Sequence, residues 1–283
     1  MALETRNYIA GEWLDGADRI ENRNPSDLSD LIGHFAQADA AQLDAALVAA
    51  RAAQAGWGAT GPQRRHDVLM AIGTELMARA ADIGALIARE EGKPLAEGRG
   101  EAFRAGQFFT YFAAEALRQL GQTADSVRDG IEIDVRREPV GVVAIISPWN
   151  FPVATPAWKI APALAFGNAV IWKPANQTPA SAVALAQIIA RQDLPAGVFN
   201  LVMGAGSRIG QALAESAGLD VQVVARLLDS GADVEEIRAR DADIRARGLR
   251  GVPAFVIVGQ HVVAGAQEVP FWLRIIDELA EHP

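Results

Sequence analysis

The 283-residue sequence contains no cysteine. That absence excludes a disulfide framework, a thiolate nucleophile and a cysteine-ligated metal within this chain. No apolar stretch approaches the ~20 residues of a membrane-spanning helix. The longest, VGVVAII at 140–146, ends at Ser147 and Pro148. The opening stretch MALETRNYIAGEW has no apolar signal region, so a cytoplasmic location is expected. There is no block rich in lysine and arginine, the net charge is −9 and the pI is about 5.0. Neither nucleic acid nor an anionic membrane is therefore expected as a partner. His34, His66, His261 and His282 show no ligand or triad spacing, and no metal site is expected.

What is present is an ordinary globular balance, 50% hydrophobic and 22% charged, with enough apolar material for one large domain or two smaller ones. NYIAGEWL at 7–14 reads as a short strand pair around Gly11. Residues 39–55 read as a helix with Leu43, Leu47 and Ala50 on one face. Pro62 suits a helix start, and Leu69, Ile72 and Leu76 continue at helical spacing. A third helix carries Ile83, Leu86 and Ile87 and stops near Gly92–Pro94; a fourth, over 95–119, carries Phe103, Phe108, Phe112 and Leu117. IEIDVRRE at 131–138 alternates apolar and charged residues, as a half-exposed strand does.

From residue 140 strands alternate with helices. The strands are VGVVAII, NAVIWKP and VFNLVM, and the helices run over 156–165, 179–191 and 207–215. Continuous apolar strands between helices predict an α/β fold with a parallel sheet buried on both faces. After Ser216 the texture changes to two charged amphipathic helices broken at Ser230–Gly231, a hairpin turning at Gly259–Gln260, and a last helix from Glu268 to Ala280.

One stretch, IISPWNFPVATPAWKIAPALAFGNAVIWKPA at 145–175, places Asn150 between Pro148 and Pro152. Proline on both sides stiffens the turn. Together with NYIAGEW, the NP at 24–25, EEGKP at 90–94, REPVGVV, QTP and GVFNLVMGAG, it makes residues 1–216 resemble the N-terminal part of the aldehyde dehydrogenase superfamily, with a texture closest to bacterial semialdehyde dehydrogenases. The resemblance implies a dinucleotide-binding domain for NADP or NAD with helices before it. Asn150 would donate to the oxyanion formed when a nucleophile attacks an aldehyde, a donor worth roughly 3–4 kcal/mol in the transition state. Lys173 would bond the adenosine ribose hydroxyls, and Ser147 and Trp149 would line the nicotinamide side. Asn176 stands where a glutamate is usual, which favours tolerance of a 2′-phosphate. Gly206 would let the adenine approach the backbone.

Read without the family, Asn150 is equally a cap for the following turn and Lys173 a surface lysine at a strand end. Trp149, Trp158 and Trp172 are then packing residues. GAGSRIG at 204–210 is a weak dinucleotide signal alone. The family's later Gly-Ser-Thr helix start, general-base glutamate and catalytic cysteine do not follow Ser216 in this sequence. No base is paired with Ser147 or Ser207 to activate a serine instead. Cofactor binding is therefore expected to be weak or lost.

Residues 217–283 resemble the C-terminal part of DsbA-family thioredoxin-fold oxidoreductases, on ARGLRGVPAFVIVGQHVVAGAQ and AGLDVQVVARLLDSG. The resemblance implies a partial thioredoxin-like unit with Pro253 as a cis-proline; an ordinary hairpin-entry proline is the other reading. That family's Cys-X-X-Cys is absent. Three functions compete: NAD(P)-dependent oxidation of a small-molecule aldehyde, a thiol–disulfide role, and a non-catalytic fusion with weak nucleotide binding. The missing sulfur favours the third. Two truncated sheets leave open edges, so the hairpin is expected to dock on the first sheet or the chain to form a homo-oligomer. The strand at 131–137, which resembles the family's oligomerisation strand, adds weight to a dimer.

Overall fold

The computed structural model describes residues 3–220, 223, 226, 234–246, 248, 254–257, 261–264 and 267–281. The chain divides into two compact units, Met1–Leu219 and Asp220–Pro283.

The first unit is built on a five-stranded sheet in the order β2-β1-β9-β8-β7. Strands β7 (Val142–Ile146), β8 (Ala169–Lys173) and β9 (Phe199–Leu201) are parallel. Strand β8 is buried along its whole length, as expected for an apolar strand covered on both faces. Strand β7 stands at the edge and is only partly buried. The expected hairpin forms as β1 (Asn7–Ile9) and β2 (Glu12–Leu14), and β1 adds antiparallel to β9. Two asparagines stitch it there: Asn7 Oδ1 accepts Met203 N–H at 2.8 Å and Asn200 Oδ1 accepts Ala10 N–H at 2.9 Å.

The sequence reading misses a second hairpin, β3 (Asp18–Asn24) with β4 (Asp27–Gln37). Its residues alternate poorly, and most of β3 and the first half of β4 are exposed or half-buried, so no period-2 signal marks them.

Helices α1 (Ala40–Gly58), α2 (Pro62–Ala78), α3 (Ala80–Glu91) and α4 (Leu95–Leu117) follow. Asp39 caps α1 through Gln42 N–H, and Gly92, in the left-handed region at φ 81°, ends α3. The buried face of α4 differs from the one its aromatics suggest. It consists of Gly98, Glu101, Ala102, Ala105, Gly106, Phe109, Ala113 and Ala116. The cause is close helix approach: a Cβ on Gly98 would stand 2.4 Å from the Gly84 carbonyl oxygen of α3. Only small residues fit there, and Phe103 and Leu117 remain about half exposed. Phe108 and Phe112 are half-buried: they pack against the main core and also line a cavity of about 710 Å³ with Arg104, Tyr111 and Trp158.

Strands β5 (Gln122–Asp125) and β6 (Glu132–Val135) make a separate antiparallel pair. Neither face of β6 is buried within one chain, and Ile131, Ile133 and Val135 are 45–49% exposed. Helices α5 (Ala154–Ala165) and α6 (Pro179–Ala190) connect β7, β8 and β9. The expected helix over 207–215 begins as a π-helical turn, Gly206–Gly210, before α7 (Gln211–Ser216).

In the second unit the described elements are a helix, Val234–Ala246, a hairpin of Ala254–Ile257 with His261–Ala264, and a helix, Val269–Glu281. The hairpin is a sheet of its own. Phe255 and Trp272 meet edge to face with centroids 4.8 Å apart. Pro253, the helix break at Ser230–Gly231 and the turn at Gly259–Gln260 lie outside the described residues.

Candidate functional site

Three loops leave the carboxyl ends of the adjacent parallel strands β7, β8 and β9. All six residues singled out in the sequence lie in these connections or at the strand and helix ends that bound them. Ser147, Trp149 and Asn150 follow β7; Lys173 ends β8 and Asn176 lies just past it; Gly206 follows β9. This is the edge at which an open parallel sheet takes ligands.

Lys173 is not a surface lysine. It is only 5% exposed, and burial pulls its pKa below the usual lysine value. Among the described residues no acceptor or carboxylate pairs with its ammonium. Asn176 lines a cleft of about 620 Å³ with Trp149, Gln177, Thr178, Glu90 and Arg23. Gly206 opens the π-helical turn, and a Cβ there would meet nothing within 4 Å. Its open space contrasts with Gly204, where a Cβ would stand 2.4 Å from Ile209 Cγ1. Packing thus accounts for Gly204 and not for Gly206.

Ser147 is buried just past the end of β7. It is 4% exposed, and its Oγ accepts a hydrogen bond from Trp172 Nε1 at 2.9 Å. Its hydroxyl is committed to the core, which also counts against a serine nucleophile there. Trp172 is a packing residue, fully buried, whereas Trp149 and Trp158 are 51% and 58% exposed.

Asn150 is exposed and does not cap α5. Glu101 takes that part: its Oε1 accepts Val153 N–H at 2.9 Å and Ala154 N–H at 3.1 Å. The amide of Asn150 bonds no described residue, while its backbone oxygen accepts from Lys93 Nζ at 3.1 Å.

Comparison with known proteins decides the lineage. The Aldehyde dehydrogenase family profile matches residues 13–236. The chain belongs to this family. The alpha-ketoglutaric semialdehyde dehydrogenase of Bacillus subtilis is 40% identical over 219 residues, 76% of this chain and 44% of that protein. The NADP(+) succinate-semialdehyde dehydrogenase of Escherichia coli is 39% identical over 207 residues, 72% of this chain and 43% of that protein. Betaine aldehyde dehydrogenase from Staphylococcus aureus, solved in complex with NAD+, superposes with a TM-score of 0.73 at 31% identity, covering 75% of this chain and 43% of that one. The chain thus spans less than half the length of these relatives. The family match continues past residue 216, where the sequence texture changes.

For an aldehyde dehydrogenase cofactor, the residues present fit in part. Lys173 has a largely buried side chain with no described partner for its ammonium, Asn176 lines a cleft, and Gly206 has open space where a Cβ would be. The sequence reading misses the residues that hold this edge in place. Glu90, buried, accepts Ala180 N–H at 2.7 Å and Ser181 N–H at 2.8 Å at the start of α6. Lys93 and Glu101 hold the loop into α5. Two of these three lie in the EEGKP segment, which was legible as a family marker but carries no mark of its long-range partners.

Proposed function

We propose that this chain is the nucleotide-holding part of an NAD(P)-dependent semialdehyde dehydrogenase, and that it binds the dinucleotide without oxidising aldehyde by itself. The observation that carries the reading is Lys173, buried and unpartnered at the ligand edge of the sheet. Keeping a lysine there costs the free protein stability, and a ligand's hydroxyls or phosphate repay it.

When bound, the dinucleotide supplies the hydride acceptor. Lys173 donates to ribose hydroxyls, and Gly206 admits the adenine to the backbone. Asn176, uncharged, leaves room for a 2′-phosphate, so NADP is expected to bind at least as well as NAD. Asn150 has a free amide, suited to a developing oxyanion. This sequence has no cysteine to generate that oxyanion, and the Ser147 hydroxyl is engaged by Trp172. Support for a semialdehyde as the family substrate comes from the relatives' own activities.

Thermal-shift titrations with NADP and with NAD test the binding claim; no shift at millimolar cofactor defeats it. Incubation with a semialdehyde and NADP tests the second claim. No NADPH should form, and turnover by protein free of host enzyme would refute the inactive reading.

For the second unit we propose the closing portion of a thioredoxin-like fold without thiol chemistry. Its support is the order hairpin then helix, closed by Phe255 against Trp272. Insulin reduction by the purified chain would count against it. We further propose self-association through β6, because its apolar side chains find no cover within one chain.

A further inference from the structure

Lys93 stands where four groups converge. Its Nζ donates to Glu101 Oε2 at 2.7 Å and to the Asn150 carbonyl oxygen at 3.1 Å. Glu91 Oε2 lies 3.0 Å away, an ion pair not aligned as a hydrogen bond. The Phe151 ring centroid is 4.4 Å from Nζ, within cation–π range. Burial opposes the ammonium's charge, but Glu101 and Glu91 outweigh it and hold its pKa above the usual lysine value. The cation is therefore a fixed donor.

Beyond the Thr155 N–H bond to the Phe151 carbonyl at 3.1 Å and the burial of Pro152, the loop it meets has little else to hold it. Pro148, Trp149, Asn150 and Phe151 are all exposed. Among the described residues, no other side chain hydrogen-bonds to residues 148–152. Glu101 bonds the loop's far end at Val153 and Ala154 and also bonds Lys93. The carbonyl that Lys93 grips belongs to the Asn150–Phe151 peptide. Fixing that plane, next to a residue already restricted by Pro152, fixes the backbone from which the Asn150 side chain projects.

We propose that Lys93 is a positioning residue for Asn150: it clamps the Asn150 carbonyl and the Phe151 ring to the α3–α4 corner and so sets the direction of the Asn150 amide. The purpose of that direction rests on the reading of Asn150 as an oxyanion donor; the clamp itself does not.

Nuclear magnetic resonance on the full chain tests this. In the wild type the Lys93 ammonium should give a slowly exchanging signal with a contact to the Phe151 ring; its absence overturns the clamp without any variant. Lys93→Met should lower backbone order parameters at 149–151 from the rigid value of about 0.85 to below about 0.6, and Lys93→Arg should restore much of the order. Unchanged order at 149–151 in Lys93→Met, or a uniform loss across α3 and α4, overturns the proposal. Titrating NADP into the same samples separates the two readings. A wild type that ignores NADP removes the cofactor reading, whereas the order at 149–151 alone decides the clamp.

Discussion

Glu90 and Ser181, 91 positions apart in sequence, meet through a 2.8 Å bond from the Ser181 backbone N–H to the Glu90 carboxylate. Ala180 N–H bonds the other oxygen at 2.7 Å. A carboxylate at a helix start complements the unpaired amides and the dipole. Here the carboxylate is also buried. Burial raises its pKa from 4.5 to about 7, against the pull of the Ser181 and Ala180 bonds.

A raised folded-state pKa means the folded protein holds the proton more tightly than the unfolded chain. The group's stabilisation is complete below about pH 4.5 and is lost as the pH rises through about 7. The loss is at most on the order of 3 kcal/mol. Urea unfolding of the first unit should show a falling stability across this window, and Glu90→Gln should flatten it. An unchanged slope in that variant would assign the pH dependence elsewhere.

Gly98→Ala tests the α3–α4 contact. In an open helix the change would gain up to about 1 kcal/mol. At 2.4 Å from the Gly84 carbonyl oxygen, the added methyl must push the helices apart, at a cost of about 1–3 kcal/mol. The denaturation midpoint should fall. Gly100→Ala on the same helix, where a Cβ meets nothing within 4 Å, should leave it unchanged or raise it.

Asn176→Glu tests cofactor preference. A carboxylate at this position adds like-charge repulsion against a 2′-phosphate, in a cleft that already carries Glu21, Glu90 and Glu91 beside Arg23. NADP affinity should drop about tenfold or more, with NAD affinity held or improved. Equal effects on both dinucleotides would move the 2′-phosphate away from Asn176.

Ile133→Glu tests self-association. Sedimentation should show the wild type as a dimer or larger assembly and the variant shifted toward monomer. A wild type that sediments as a monomer would remove β6 as an interface.

The sheet and its flanking helices were legible because β7, β8 and β9 are continuous apolar runs separated by helical periodicity. That Asn150, Lys173 and Gly206 gather at one end of the sheet follows from local motifs, each just past or at the end of a strand. The β3–β4 hairpin was not legible, since most of its residues are exposed or half-buried and lack alternation. The packing face of α4 was legible only in part, at Phe108 and Phe112 and not at Phe103 and Leu117: periodicity counts large apolar residues, whereas a close helix crossing selects glycine and alanine. Glu90, Lys93 and Glu101 stayed hidden because their roles depend on partners between 52 and 91 positions away. Charged residues on a helix read as solvated until the chain is folded around them.

The most direct test of the nucleotide site is a calorimetric titration of NADP into the wild type and Lys173→Met, paired with thermal melts of both without ligand. Burial disfavours the Lys173 ammonium, so removing the charge should raise the melting temperature of the free protein while abolishing NADP binding. A wild type that takes up no NADP at millimolar concentration, or a Lys173→Met variant that binds it equally well, would contradict the account.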